Sequence, residues 1–476
     1  MTLRRFRSTP KAFAASAALA VLVLPASALA GPPSGSAGHK ASAAGTLTQL
    51  PGARGCLVDR STPSAGCGTA RGLKGAGPFM GSRAIALSPN GKNVYVASSK
   101  SDAIAVFRRN PRTGALTQPR GAEGCIAAKG AEDCARGAGL NGPNSVAVSP
   151  DGRNVYATSR GSNAISIFRR DRSTGTLTQP PASAGCISGL PVPVCAAGRA
   201  LVAPDVVVVS PDGKNVYVGS FFGNAVAIFV RDPSTGALTQ PTDSSGCIAE
   251  ATSGCAPAVA LGAPEGMAIS GDGANVYVAT ALSNATVVLS RDPSTGALTQ
   301  ATDGSGCIVN SALSGCTAGV ELDGANAVTV SPDDQGVYVT SLFSNSVTSF
   351  TRSTSSGVLA QKPGTSGCLV WLRAVGCSFG RALSSPEGLA VSPDGGNVYG
   401  AAFATGAIAV LDRSRKSGVV AQKPGRAGCL APRTVPGCTR ARALAGVSSI
   451  ALSPDGRYLY STSFGSNAVD IFRRNK

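Results

Sequence analysis

Histidine is all but missing from this 476-residue chain, and His39 is the only one. With no imidazole elsewhere, a Ser-His-Asp triad is excluded from the body of the protein. A metal site in every repeat is also disfavoured, because the cysteine pairs have no second pair of ligands beside them. Aromatic residues are scarce at 5%, with a single tryptophan, Trp371. Acids are outnumbered, 25 against 43 Lys and Arg, giving a formal net charge of +18. The basic positions are not interleaved with aromatic platforms, which argues against nucleic-acid binding. After residue 30 no run is long or apolar enough to span a bilayer. A sortase signal and a lipobox cysteine are missing too, which leaves a purely structural surface coat without an attachment. No loop carries a calcium-binding signature.

What is present begins with an export signal. Arg4, Arg5, Arg7 and Lys11 lead into the apolar run from Ala12 to Ala30, which ends in the small-residue site Ala28-Leu29-Ala30. The expected mature chain starts at Gly31, and residues 31–44, rich in Gly, Ser, Ala and Pro, are read as a flexible leader. A retained membrane anchor is the rival reading, disfavoured by Pro25 and by the Gly-Pro-Pro-Ser-Gly that follows. Arg4-Arg5 runs straight into Phe6, so the ordinary secretory route is preferred to the twin-arginine one.

Fourteen cysteines fall into seven local pairs: Cys56/Cys67, Cys125/Cys134, Cys186/Cys195, Cys247/Cys255, Cys307/Cys316, Cys368/Cys377 and Cys429/Cys438. In an exported chain this spacing implies disulfides and an oxidising compartment. Closing such a short loop contributes on the order of 2–3 kcal/mol in the chain-entropy model.

The cysteine pairs keep step with a motif that returns seven times: Ser88-Pro-Asn-Gly91, Ser149-Pro-Asp-Gly152, Ser210-Pro-Asp-Gly213, Ser270-Gly-Asp-Gly273, Ser331-Pro-Asp-Asp334, Ser392-Pro-Asp-Gly395 and Ser453-Pro-Asp-Gly456. One supersecondary unit has been copied seven times. Within a unit, short β-branched runs at 144–149, 154–159, 164–169 and 176–179 are separated by turn chemistry, predicting four antiparallel strands. Seven such units predict an all-β, seven-bladed β-propeller over residues 45–476. The strand that every earlier copy carries after its arginines is absent after Arg474 but present as Gly45-Thr-Leu-Thr-Gln49, so the N-terminal strand is expected to complete the last blade and remove an open edge. A ring closed by one chain needs no partner copy, and a monomer is expected. The arginines recurring in register, Arg108-Arg109, Arg169-Arg170, Arg231, Arg291, Arg352, Arg413 and Arg473-Arg474, are read as a solvated basic rim.

The runs Leu-Ser-Pro-Asn-Gly-Lys-Asn-Val-Tyr-Val at 87–96 and Ile-Phe-Val-Arg-Asp-Pro-Ser-Thr-Gly-Ala-Leu-Thr at 228–239 resemble the lactonase-type (6-phosphogluconolactonase-like) seven-bladed propellers and the related YVTN-type surface repeats. The resemblance covers nearly all of the mature chain. It implies the fold, and as an activity the opening of a sugar or related lactone. It also implies a channel site of Arg, Glu and His, of which this chain has no histidine outside its leader.

Counting back five residues from each Ser of the repeated turn gives the entrances of the innermost strands: Arg83, Asn144, Asp205, Glu265, Asn326, Glu387 and Ser448. This mixed ring is the candidate binding site, for a hydroxylated or cationic ligand held with or without Ca²⁺, and no cofactor is expected. The bland alternative is that these residues satisfy strand ends and channel water. As a lactonase, the chain would use Glu265 or Glu387 as the base that activates water and Arg83 as the stabiliser of the oxyanion. As a binding module, it would use the variable loop face to hold a small molecule, a polysaccharide or a protein. The loops after the second strands carry Phe221, Phe222, Leu342, Phe343, Phe403 and Phe464, and the long cysteine loops are expected to fold down over them. Trp371 lies between Cys368 and Cys377 and is expected to shield their disulfide. Binding is the preferred function, with lactone hydrolysis as the alternative.

Overall fold

The Ser-Pro-Asp-Gly motif is a turn because each of its residues satisfies one requirement of tight reversal. In the second repeat, Ser149 Oγ donates to Asp151 Oδ1 at 2.6 Å and accepts the Asn154 N–H at 3.0 Å. Gly152 adopts φ +68°, a conformation that side chains resist, and Pro150 presets the first corner. The turn joins strands Pro143–Val148 and Asn154–Ser159 in antiparallel register, and Ala164–Arg170 follows as the third strand. This unit recurs around a ring in the computed structural model, which describes residues 43–77, 83–129, 133–311, 313, 315–432 and 435–476. The expected signal segment, the expected leader up to residue 42 and His39 lie outside the described residues. Among the described residues no helix is long and apolar enough to cross a membrane.

Seven sheets result, so the all-β seven-bladed propeller is the observed architecture. Their innermost strands are Ile85–Leu87, Pro143–Val148, Pro204–Val209, Pro264–Ile269, Ala325–Val330, Pro386–Val391 and Val447–Leu452. The second strand of each blade is buried along its whole length, as in Asn154–Ser159, because both faces are packed against neighbours. The resulting apolar clusters therefore straddle blade boundaries. One of them packs Tyr156, Ile165 and Ile167 of the second blade against Val207, Val216 and Val218 of the third.

The recurring arginine that ends each third strand is buried, which corrects the expectation of a solvated rim. Arg231 donates from Nε to the Tyr156 hydroxyl of the preceding blade at 2.9 Å and from Nη1 to Gly213 O at 2.9 Å. Its Nη2 donates to Asp151 Oδ2 and to Asn154 Oδ1, both at 2.7 Å. Tyr156 in turn donates to Gly236 O at 2.8 Å. A buried guanidinium is tolerable only when paired and hydrogen-bonded like this. The same bond from Nε to a tyrosine of the preceding blade is made by Arg109, Arg170, Arg291, Arg352, Arg413 and Arg474. Only the first arginine of each doublet, such as Arg169, faces solvent.

Two irregular copies of the turn motif explain each other. Replacing proline by Gly271 frees a backbone N–H, which donates to Asp334 Oδ1 at 2.7 Å, while the Asp272 N–H donates to Asp334 Oδ2 at 3.0 Å. Asp334 occupies the usual glycine position of the next blade, at φ +56°.

The ring closes as expected. Leu47–Gln49 and Cys56–Asp59 both pair with the last strand, Ala468–Arg474, through Leu47↔Arg474 and Cys56↔Asp470. The Tyr399 hydroxyl donates to Gly45 O at 2.7 Å, so the N-terminal segment also completes the arginine–tyrosine network of that blade.

The outer edge of each blade is more elaborate than a single fourth strand. In the second blade Leu177–Thr178 pairs with the far end of the third strand, then a 3₁₀ turn at Ala182–Gly185 intervenes, and Cys186–Ser188 rejoins the near end. The break follows Pro180-Pro181, which have no N–H to continue the ladder. Gln179 fills the gap, donating to Gly185 O at 2.8 Å and to Ala138 O at 3.0 Å. Ala196–Ala197 then adds in parallel beside the bridge Cys186–Cys195. Seven disulfides form in this manner. Of the residues expected beneath these loops, Phe221, Leu342, Phe403 and Phe464 are half-buried while Phe222 and Phe343 stay exposed, so the expected cover is partial. Phe222, Leu282 and Phe343 remain 70%, 69% and 58% exposed. Trp371 packs among Cys429 and Cys438, so it covers the bridge of the following blade.

Candidate functional site

The seven entrance residues do form a ring, since each begins the innermost strand of a different blade, but the ring divides into two chemistries. Asn144, Asp205, Glu265, Asn326, Glu387 and Ser448 are all buried, whereas Arg83 is half-buried. The asparagines are structural links around the ring. Asn144 donates to Asp205, and Asn326 donates to Pro386 O at 3.0 Å while accepting from Thr340 Oγ1 at 2.9 Å.

The acids form a single electrostatic group whose counterion is Arg160. Its Nε donates to Asp205 Oδ1 at 2.7 Å. The Arg160 side chain is 31% exposed and lies over the Phe221 ring at 4.6 Å, so it separates the buried acids from solvent. Burial alone would lower the Arg160 pKa, but the charge and hydrogen bond of Asp205, then the charges of Glu265 and Glu387, hold it above its ordinary value. Burial raises Asp205, with Arg160 opposing. Burial, and then the charge of Asp205, push Glu265 up to about 8. Burial followed by the charges of Glu265 and Asp205 raises Glu387 well above the usual carboxylate range. Three acids facing one guanidinium in a dry site cannot all ionise freely.

The site's other mark is a surplus of unpaired polar atoms. Asp205 Oδ2, both oxygens of Glu265, Glu387 Oε2, Ser448 Oγ, Thr462 Oγ1 and Arg160 Nη2 are buried without a hydrogen-bond partner among the described residues. Folded proteins rarely leave such groups unmet unless water or a ligand meets them. With Glu265 and Glu387 holding their protons, these atoms include both donors and acceptors, so the site is suited to an occupant that can both donate and accept. Among the described residues no group of three or more His, Cys, Asp or Glu side chains is arranged to hold a metal ion.

Arg160 was missed in the sequence because it lies outside the innermost strands. Its signal was present all the same: it stands at the first residue after the second strand, where four of the other six copies carry Phe221, Leu342, Phe403 and Phe464. Arg83, expected at the acids, instead lines the central channel with Val146, Val207 and Ile450.

With this geometry in hand, comparison with known proteins is informative. The family described as lactonase, 7-bladed beta-propeller matches residues 73–124, 123–184 and 197–308. The chain is a seven-bladed β-propeller that resembles the lactonase type over these residues. Similar solved structures include a putative 6-phosphogluconolactonase from Bacteroides uniformis, 18% identical with a TM-score of 0.50, covering 82% of this chain and 91% of that one. A putative 6-phosphogluconolactonase from Bacteroides fragilis is 16% identical with a TM-score of 0.49, over 71% and 81% of the two chains. Hydrazine synthase from Kuenenia stuttgartiensis is 18% identical with a TM-score of 0.48, over 83% and 97%. At these identities the likeness concerns the fold alone. No curated protein matches the chain. Asp205, Glu265 and Glu387 occupy equivalent positions of blades three, four and six, the first two within the matched residues and Glu387 beyond them.

Proposed function

We propose that this propeller is an exported, disulfide-clipped binding module whose acid–arginine cluster holds a hydroxyl-rich small molecule. The observation that carries this reading is the set of buried polar atoms around Asp205, Glu265 and Glu387 that have no hydrogen-bond partner among the described residues. Sugar hydroxyls both donate to and accept from such atoms, Arg160 Nη2 among the donors, which is the complement the site lacks. Seven intrachain disulfides suit an oxidising, extracellular setting. Phe222 and Phe343, exposed on the same face, offer apolar surface for a sugar ring or a partner chain.

A second reading, hydrolysis of a sugar lactone, is favoured by the match to the lactonase family. Here Glu265, with its pKa near the operating pH, takes a proton from the attacking water, and Arg160 rather than Arg83 stabilises the oxyanion. The two readings separate in one experiment on the purified, oxidised protein. Calorimetric titration with sugars and sugar lactones is run beside a hydrolysis assay corrected for spontaneous opening, on wild type and on Glu265→Gln/Glu387→Gln. Binding without turnover, lost in the double variant, supports the module. Turnover lost in the double variant supports the lactonase, and a double variant indistinguishable from wild type in both assays removes the cluster from either role.

A further inference from the structure

The central channel differs in character from the acid cluster. It encloses a cavity of about 480 Å³ whose wall is built from the innermost strands, with Val146, Val148, Val207, Ile269, Leu389 and Ile450 among its residues and the turn prolines Pro89 and Pro211 also on its wall. None of the ring carboxylates lines it, and among the described residues Arg83 is its only ionisable side chain. Unlike the seven arginines of the blade boundaries, Arg83 has no hydrogen-bond or ion-pair partner for its guanidinium among the described residues. Burial lowers its pKa with no neighbouring acid to oppose the effect.

A cation without an acid, set in a channel walled by alkyl side chains and by the backbone edges of the innermost strands, is complementary to one class of molecule. We propose that the channel is a second binding site, for an organic carboxylate with an apolar body, the carboxylate paired with Arg83 and the body lying between the innermost strands. The planar guanidinium matches a carboxylate in two-point geometry. The volume falls in the range of small-molecule sites. The alanines that alternate with the larger residues, such as Ala147 and Ala451, are part of the wall and leave it width. This site uses none of the residues assigned to the hydroxyl-rich ligand, so either proposal can fail alone.

The test uses decanoate, decanol and acetate as probes of the full oxidised protein in calorimetry at fixed ionic strength. Decanoate is expected to bind at least tenfold more tightly than decanol, which keeps the chain but lacks the charge, and than acetate, which keeps the charge but lacks the chain. Arg83→Gln should weaken decanoate at least tenfold and leave decanol unchanged, while Arg83→Lys should retain part of the preference. Ala147→Phe, which narrows the tube without touching the charge, should also weaken decanoate. Equal affinity for decanoate and decanol on the wild-type protein would overturn the proposal without any variant. So would decanoate binding that survives Arg83→Gln, or no binding at all, which would leave a water-filled channel.

Discussion

Glu265→Gln should make the protein more stable at alkaline pH, although it alters a fully buried residue. In the unfolded chain Glu265 titrates near its ordinary value of 4.5, and in the fold it keeps its proton up to about 8. Between these values the folded state binds more protons than the unfolded state, so this group's contribution is fully present at low pH and is lost as pH rises through 8. One pKa unit corresponds to about 1.4 kcal/mol, so the displacement from 4.5 to about 8 amounts to on the order of 5 kcal/mol above that pH. An unfolding entropy of about 2.1 cal/mol/K per residue, summed over a chain of this length, converts that to roughly 5 °C of melting temperature. Glutamine cannot ionise, so the variant lacks the decline. Thermal melts of both proteins, followed by intrinsic fluorescence from about pH 5 to about pH 9, should show a gap that moves in favour of Glu265→Gln with rising pH. Comparing the change in the gap cancels whatever the amide itself costs when buried. A gap that stays constant across the range would refute the reasoning, because it would mean that Glu265 is ionised and paired at neutral pH.

Tyr156→Phe removes the acceptor of Arg231 Nε and the donor to Gly236 O, and should destabilise by about 1–3 kcal/mol, read as an earlier melt with unchanged far-ultraviolet dichroism. The Asp partners behave oppositely to Glu265. Asp394 is held down to about 2 because bonds from Ser392, the Gly396 N–H and Arg474 outweigh its burial, so its contribution is present above its ordinary pKa and is lost only as pH falls through about 2. Asp394→Asn should therefore lower the melting temperature at pH 7 more than at about pH 2. The double change Cys186→Ser/Cys195→Ser opens one outer-edge loop and should cost about 2–3 kcal/mol in the chain-entropy model, while a thiol assay on the unreduced wild type should find no free cysteine. Deleting residues 45–50 removes the strand that covers Ala468–Arg474, and the exposed edge should produce aggregates or dimers in size-exclusion chromatography.

Much of this molecule is legible in its sequence because a repeat constrains itself. The period of the Ser-Pro-Asp-Gly turn set the number of blades, the strand displaced from the end to the beginning revealed the closure, and the spacing of Cys186 and Cys195 revealed their bridge. Local chemistry sufficed for these features, since each depends on residues within one unit or on the comparison of units. The six buried ring positions were also found by register, because they share one place on one strand. What the sequence could not show is how one blade faces the next. Arg169 and Arg170 are neighbours of identical type, and only the packing of the preceding blade decides that Arg170 reaches Tyr95 while Arg169 meets water. Likewise Arg160 joins Asp205 across 45 residues, whereas Arg83 turns into the channel. A side chain's partner, and with it its charge state, is set by whatever the tertiary fold leaves within a few ångströms, where desolvation makes every unpaired charge costly.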